Sequence, residues 1–350
     1  MFPYDQAGGE GMYKASDTAA HGQLLPQSVF ASVGPIADQF GPGIGQESPE
    51  DIAVTYPRLR VVGARLDPCF PAIGGANCRH QVRFVMQPVT PSEGFDDAAL
   101  HVFYDLPEAD FDALVSELAA LKSAAGKSTD GPLDVHPILK QEGPSGAFAM
   151  GLKEKLFARI GADRITRVTA MQLVQAGGTW EFRGFDFVNG TATPIGISGT
   201  NSLKQTIHNF GNVGFDATVD PIIATDPDLS LFWSASSASS ADAAAKQSAF
   251  DATLTIESPN LRDVEHVSCV ACHTATPARV WAQNNLGLTS EGNASLFTST
   301  YDLTLTVGSS IATDTTRLRA FGYRGTDVML SQRVVNESAK VASALSTPTP

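Results

Sequence analysis

The sequence predicts an α+β fold, with a β-rich larger portion followed by a smaller C-terminal portion. Three observations point there. Residues 59–66, 81–86 and 100–105 are rich in β-branched and aromatic side chains and read as strands. Residues 165–174 and 179–188 flank Gly177-Gly178, a hairpin signal. Phe111, Leu114, Val115, Leu118 and Leu121 recur at helical spacing.

Taken in order, residues 1–48 are Gly- and Pro-rich and weakly periodic, and read as an extended N-terminal arm laid over the domain surface. A mixed α+β domain is expected over 49–233. Its first two strands are joined by a turn-rich loop bracketed by Cys69 and Cys78, which places them side by side. Pro107 before the apolar stripe and Gly126 after it bound a helix over 108–123. A second helix is expected near 147–160 through Leu152, Leu156 and Ile160. In the second arm of the hairpin, Trp180 and Phe182 take one parity and Phe185 and Phe187 the other. That switch means a bulge near Gly184 or burial of both faces. Residues 234–249 are Ser/Ala-rich and read as a linker, with a short Ala-rich helix as the alternative. The remainder, 250–350, forms the C-terminal portion. It is expected to hold a short helix over 261–267, a strand over 301–307, and a closing helix over 331–345 capped by Ser331.

Composition bounds the function. The chain has 350 residues, 43% hydrophobic and 8% aromatic, which is enough apolar material for a folded core. Its formal charge of -13 argues against nucleic-acid binding, which needs a basic face. The same charge favours docking to a basic partner, with a steering field that salt weakens. No run of 18 or more apolar residues is present, so no transmembrane segment is expected. There is no dinucleotide fingerprint, P-loop, nucleophile elbow or H-E-x-x-H zinc motif. Asp220, Asp226 and Asp228 lack the spacing of a calcium loop and read as an acidic turn.

One short stretch carries chemistry. Cys269-Val270-Ala271-Cys272-His273 is a C-x-x-C-H pentapeptide, the spacing of c-type haem attachment. Two thiols must each add to a vinyl group on one porphyrin edge. Two intervening residues turn both sulfurs toward the same ring, and the adjacent His273 can offer its imidazole to the iron. A zinc site would need two more soft ligands, and Cys69 and Cys78 are remote and poorly spaced for that role. A thioredoxin-like C-x-x-C normally follows a strand in a βαβ unit and needs no histidine.

Residues 268–275 resemble the haem-attachment turn of the c-type cytochromes. The resemblance implies one covalent haem c on Cys269 and Cys272, with His273 as the proximal iron ligand. It also implies a distal methionine just before a last helix, and Met329 stands in that place. His208 is the alternative distal ligand. His266 is too close to Cys269 to reach the far face. His80, His101 and His136 have nothing around them in sequence that marks a site.

Haem attachment implies an exported protein, periplasmic or extracellular. The first residues carry no basic n-region and no apolar h-region, so a signal or lipoprotein leader is expected to have been removed, the latter leaving a lipid anchor. In an oxidising compartment Cys69 and Cys78 are expected to form a disulfide, worth about 2–3 kcal/mol on the chain-entropy account. The leading functional expectation is single-electron transfer with a protein partner. The alternatives are a haem enzyme or gas sensor with an open sixth position, and a haem-bearing structural subunit of a larger redox assembly.

Overall fold

The computed structural model describes residues 1–5, 10–11, 13–33, 49–71, 78–90, 94–95, 98–126, 133–175, 178–197, 200–209, 216–290, 318, 320–324 and 327–346. In chain order the strands among them are β1 (Tyr4–Asp5), β2 (Glu10–Gly11), β3 (Tyr13–Lys14), β4 (Thr18–Ala19), β5 (Gly22–Gln23), β6 (Leu59–Phe70), β7 (Arg79–Thr90) and β8 (Gly94–Phe95). They continue as β9 (Ala98–Leu106), β10 (Ile165–Gln175), β11 (Thr179–Val188), β12 (Thr191–Pro194), β13 (Lys204–Asn209), β14 (Ala217–Asp220), β15 (Phe321–Arg324) and β16 (Asp327–Leu330). The helices are α1 (Gln27–Ser32), α2 (Pro49–Thr55), α3 (Glu108–Ala125), α4 (Pro137–Glu142), α5 (Ala147–Phe157), α6 (Ala235–Ser240), α7 (Ala243–Glu257), α8 (Cys269–Leu286) and α9 (Gln332–Ser346).

Ten strands form one antiparallel sheet. Its main path runs β14-β13-β11-β10-β9-β7-β6-β3, with β12 added to β11 and β8 to β7. The strands expected at 59–66, 81–86 and 100–105 are the inner parts of β6, β7 and β9. The expected hairpin is β10–β11.

Strand side chains alternate between faces, and here both faces are covered. Val82, Phe84 and Met86 of β7 and Leu100, Val102 and Tyr104 of β9 pack with Phe111, Ile138, Phe148 and Leu156 from α3, α4 and α5. On the other face Met171, Trp180, Phe182 and Ile207 pack with Val270 of α8 and Leu318. Val62, Val85 and Val89 pack there with Tyr323 of β15. Burial of both faces explains the aromatic switch along β11: Trp180 and Phe182 look toward α8, while Phe185 and Phe187 join the core under α3 and α5. Pairing with β10 runs unbroken through Gly184, and the irregularity lies between Leu173 and Gln175 instead.

Helix α3 follows the expected stripe. Glu108 and Asp110 occupy its first turn and Lys122 its last, opposite in sign to the local helix dipole. Gly126 ends it at φ 63°, a left-handed conformation that favours glycine.

Three expectations are corrected. The N-terminal arm does not merely lie on the surface. Phe2, Tyr13, Leu24, Leu25 and Phe30 are buried in the main core, and Tyr13 pairs with Val61 as the sheet's edge. Residues 234–249 take the helical alternative rather than forming a linker. Ser234 caps α6 and Asp242 caps α7. Ala243, Ala244 and Ala245 are exposed, and α7 packs on α8 further along, through Ala249, Phe250 and Leu254 against Ala271, Ala275, Ala278 and Trp281. Residues 261–267 form turns instead of a helix. The Asp263 carboxylate accepts from the Glu265 and His266 backbone N–H groups at 2.9 and 3.0 Å, an arrangement that competes with helix. The described C-terminal portion also holds a pair of strands, β15 and β16.

The strand expected at 301–307 lies outside the described residues. The closing helix is α9, with Ser331 Oγ accepting from Val334 N at 3.3 Å. Cys69 and Cys78 form the expected disulfide, joining the end of β6 to the approach to β7 across 4.4 Å between Cα atoms. No described helix is long and apolar enough to cross a membrane.

Candidate functional site

Helix α8 starts at the first cysteine of the pentapeptide, and its start is held from three sides. Ser268 is the N-cap, its Oγ accepting from Ala271 N at 3.2 Å. Gln205 on β13 accepts from Val270 N at 2.9 Å. Ser268 N in turn donates to Asp226 Oδ1 at 3.0 Å. Of the first-turn N–H groups that a helix leaves without partners, that of Ala271 is met by the cap and that of Val270 by distant Gln205, while Asp226 holds the cap residue itself. Asp226, read in sequence as part of an acidic turn, is one of these anchors.

Cys269, Cys272 and His273 stand at i, i+3 and i+4 and share one face of α8. The opposite face, through Ala271, Ala275, Ala278 and Ala282, packs on α7. The Cys–His face is therefore turned away from α7. Both thiols are free and half-buried. Burial pushes the Cys269 thiol up to about 11. It pushes Cys272 up to about 12, against the lowering influence of Arg333. Both are thiols at neutral pH, whereas a dithiol redox catalyst depends on a thiolate of depressed pKa.

His273 is fixed on two sides. Its ring centroid lies 4.9 Å from that of Phe182 on β11. Its Nδ1 bonds the carbonyl oxygen of Leu318. A carbonyl only accepts, so Nδ1 carries the proton and Nε2 keeps its lone pair. Burial lowers the imidazole to about 4, so the ring is neutral at physiological pH.

Beside Cys269 a cleft of about 210 Å³ opens between the start of α8 and the sheet, lined among others by Thr169, Gly184, Ile195, Ile197 and Val267. Gly184 keeps its floor low. A Cβ there would lie 3.1 Å from Ile195 Cδ1 and 3.5 Å from Thr169 Cγ2. Arg167 and Arg183 also contribute to the lining.

The distal candidates fall on different sides of the sheet. His208 on β13 has the opposite parity to Gln205 and Ile207, both of which meet α8. It therefore faces away from α8, and its Nδ1 bonds Thr179 Oγ1. Met329 is buried on β16, directly across from Gly322. A Cβ on Gly322 would meet Gln87 Oε1, and Gln87 has the parity of Val85 on β7. Opposed residues in an antiparallel pair share a face, so Met329 lies on the α8 side of the sheet.

His101, which nothing marked in sequence, lies on that side too. It pairs with Thr169 of the cleft floor on one flank and with Val85 on the other. Burial lowers its imidazole to about 3, and the charges of Arg83 and His273 act in the same direction. The signal was its parity. Residues 98, 100, 102, 104 and 106 fill one core, so a histidine at 101 belongs to the second covered face.

Among the described residues, no three His, Cys, Asp or Glu side chains converge as a metal-ion site. The arrangement thus offers two protonated thiols and one imidazole lone pair on a single helix face, next to a cleft. Such a set can form thioethers and supply one nitrogen to a metal. Comparison with protein-family models, with curated proteins and with solved structures finds no match for this chain.

Proposed function

We propose that this chain holds one haem through thioethers to Cys269 and Cys272, takes His273 as the proximal iron ligand, and passes single electrons to and from a protein partner. The carrying observation is the His273 Nδ1–H bond to the Leu318 carbonyl, made on the helix face that also presents both free thiols. That bond fixes the tautomer and leaves the Nε2 lone pair for a metal, the second-sphere arrangement that metal-binding histidines adopt. The cleft at Cys269 supplies adjoining space walled by Ile195, Ile197 and Val267.

When bound, the group supplies one-electron exchange at iron. The chain's part is to hold and orient. Cys269 and Cys272 fix the ring on the first turn of α8. Phe182 sets the His273 plane. His101 and Met329 stand on the side of the sheet from which a second axial ligand can come.

The net charge of -13 supports a basic redox partner, with docking that weakens as salt rises. The Cys69–Cys78 disulfide supports an oxidising compartment, periplasmic or extracellular.

The test is a pyridine haemochrome assay with intact-mass analysis on chain matured in an export-competent host. One haem per chain, lost in Cys269→Ala/Cys272→Ala, is expected. Thiols that still alkylate in the correctly exported chain overturn the reading. A high-spin ferric spectrum with rapid carbon monoxide binding on reduction would move it to a haem enzyme or gas sensor.

A further inference from the structure

A second polar site lies where α9 crosses β6 and β7. Arg65 and Asp67 come from β6, Arg83 from β7, and Arg333 and Glu337 from α9. Arg65 Nη2 lies 2.6 Å from Asp67 Oδ1, and Arg65 also pairs with Glu337. Arg83 Nη2 lies 3.1 Å from Asp67 Oδ2, and Arg333 Nε 2.6 Å from Glu337 Oε1. These side chains are 4–14% exposed.

Buried charges need matching partners, and this group is one negative charge short. Three guanidiniums share two carboxylates. The shortfall falls on Arg83, whose side chain is 10% exposed. Its Nε meets no acceptor among the described residues, and neither does that of Arg65. The Arg83 guanidinium is steadied against Phe103, with its Cζ 4.3 Å from the ring centroid. These arginines line a small cavity of about 30 Å³, together with Phe70, Pro71, Asp263 and Lys340, so that with Asp263 and Lys340 included its wall is still one negative charge short.

We propose that this cavity seats one small carboxylate-type monoanion, with Arg83 as its main partner. A guanidinium edge pairs well with two oxygens of a planar oxyanion. Asp67, Asp263 and Glu337 limit the ligand, because a dianion such as sulfate would face three carboxylates around the cavity. Formate or bicarbonate has the right charge and shape. The site does not depend on the electron-transfer reading. Val264, however, lines both this cavity and the cleft at Cys269. A carboxylate arm of a haem held in that cleft is therefore a second source of the same chemistry.

The experiment titrates ¹³C-formate into the full chain, with and without attached haem, against chloride at matched ionic strength. Saturable one-to-one binding to the haem-bearing chain identifies a free anion. Binding confined to the haem-free chain identifies the carboxylate arm as the natural occupant. Arg83→Met is expected to weaken formate binding by about ten-fold or more. Arg83→Lys keeps the charge should the methionine variant not fold, and its loss of the planar fork is expected to weaken binding about five-fold. No saturable binding in either form of the unaltered chain overturns the proposal. Full affinity in Arg83→Met, or in Arg83→Lys where the methionine variant does not fold, overturns it equally.

Discussion

Gln205 accepts the backbone N–H of Val270 at 2.9 Å, fastening the first turn of α8 to β13 across 65 residues of sequence. Gln205 is 1% exposed, and its Nε2 donates to the Pro221 carbonyl at 3.0 Å. One side chain thus ties α8 to the sheet and to the turn after β14. Replacing it with leucine leaves a buried donor and acceptor without partners. Gln205→Leu is expected to cost about 1–3 kcal/mol, measured by urea unfolding, and to lower haem attachment. A cost under about 0.5 kcal/mol would show that α8 is anchored elsewhere.

Sheet parity separates the three distal candidates. His208 faces away from α8, while His101 and Met329 lie on its side. His208→Ala is therefore expected to leave the ferric near-infrared band unchanged. Joint replacement, His101→Ala with Met329→Ala, is expected to turn a low-spin iron high-spin. A spectral change in His208→Ala, or a low-spin spectrum surviving the double replacement, would contradict this placement.

Much of the sheet was legible because its signals are local. Strand-type composition marked β6, β7 and β9, the Gly-Gly turn marked β10–β11, and the apolar stripe marked α3. The aromatic switch in β11 left a bulge or two covered faces open, and the structure has the second. What covers the second face was not legible, because Val270 meets Trp180 and Phe182 only through long-range packing. The pentapeptide was readable for the same local reason, and its cleft was not. Thr169 and Gly184 become one floor only through the β10–β11 register, and His101 joins them only through β9–β10. Composition misled at 234–249, where side-chain caps from Ser234 and Asp242 start two helices in a Ser/Ala-rich stretch.

Glu337 gives a pH dependence with a definite sign. Burial alone would raise its pKa, but the guanidiniums of Arg65, Arg333 and Arg83 outweigh burial and hold the carboxyl well below its ordinary 4.5. Asp67 and Lys340 line the same cavity. A carboxyl depressed in the folded state contributes stability above its unfolded pKa and loses it as pH falls toward the folded value. Urea midpoints should therefore be flat in this respect near neutrality and drop below about pH 4.5. Glu337→Gln removes one partner of a buried pair and is expected to cost about 3–5 kcal/mol at pH 7. The gap between the two proteins should narrow with acid. A constant gap from pH 7 to 3 would mean that Glu337 acts by packing and not by charge.

Gly184 tests whether the cleft is the haem seat without touching a thiol or an imidazole. It sits mid-strand on β11, opposite Thr169, and its missing Cβ keeps the floor below Cys269 open. Glycine within a strand is a local weakness, so a larger residue gains backbone order while it fills space. Gly184→Leu must displace the Ile195 side chain, whose Cδ1 would lie 3.1 Å from the new Cβ. Ile195 follows β12 near the sheet's margin, where it can move. The net change in stability is expected to stay within about 1 kcal/mol. Haem per chain should fall sharply in the same protein, because the seat is occupied while Cys269, Cys272 and His273 are unchanged. The comparison is the haemochrome yield of Gly184→Leu against its urea midpoint. Full haem content at an unaltered midpoint would place the ring outside this cleft, on another side of the Cys–His face.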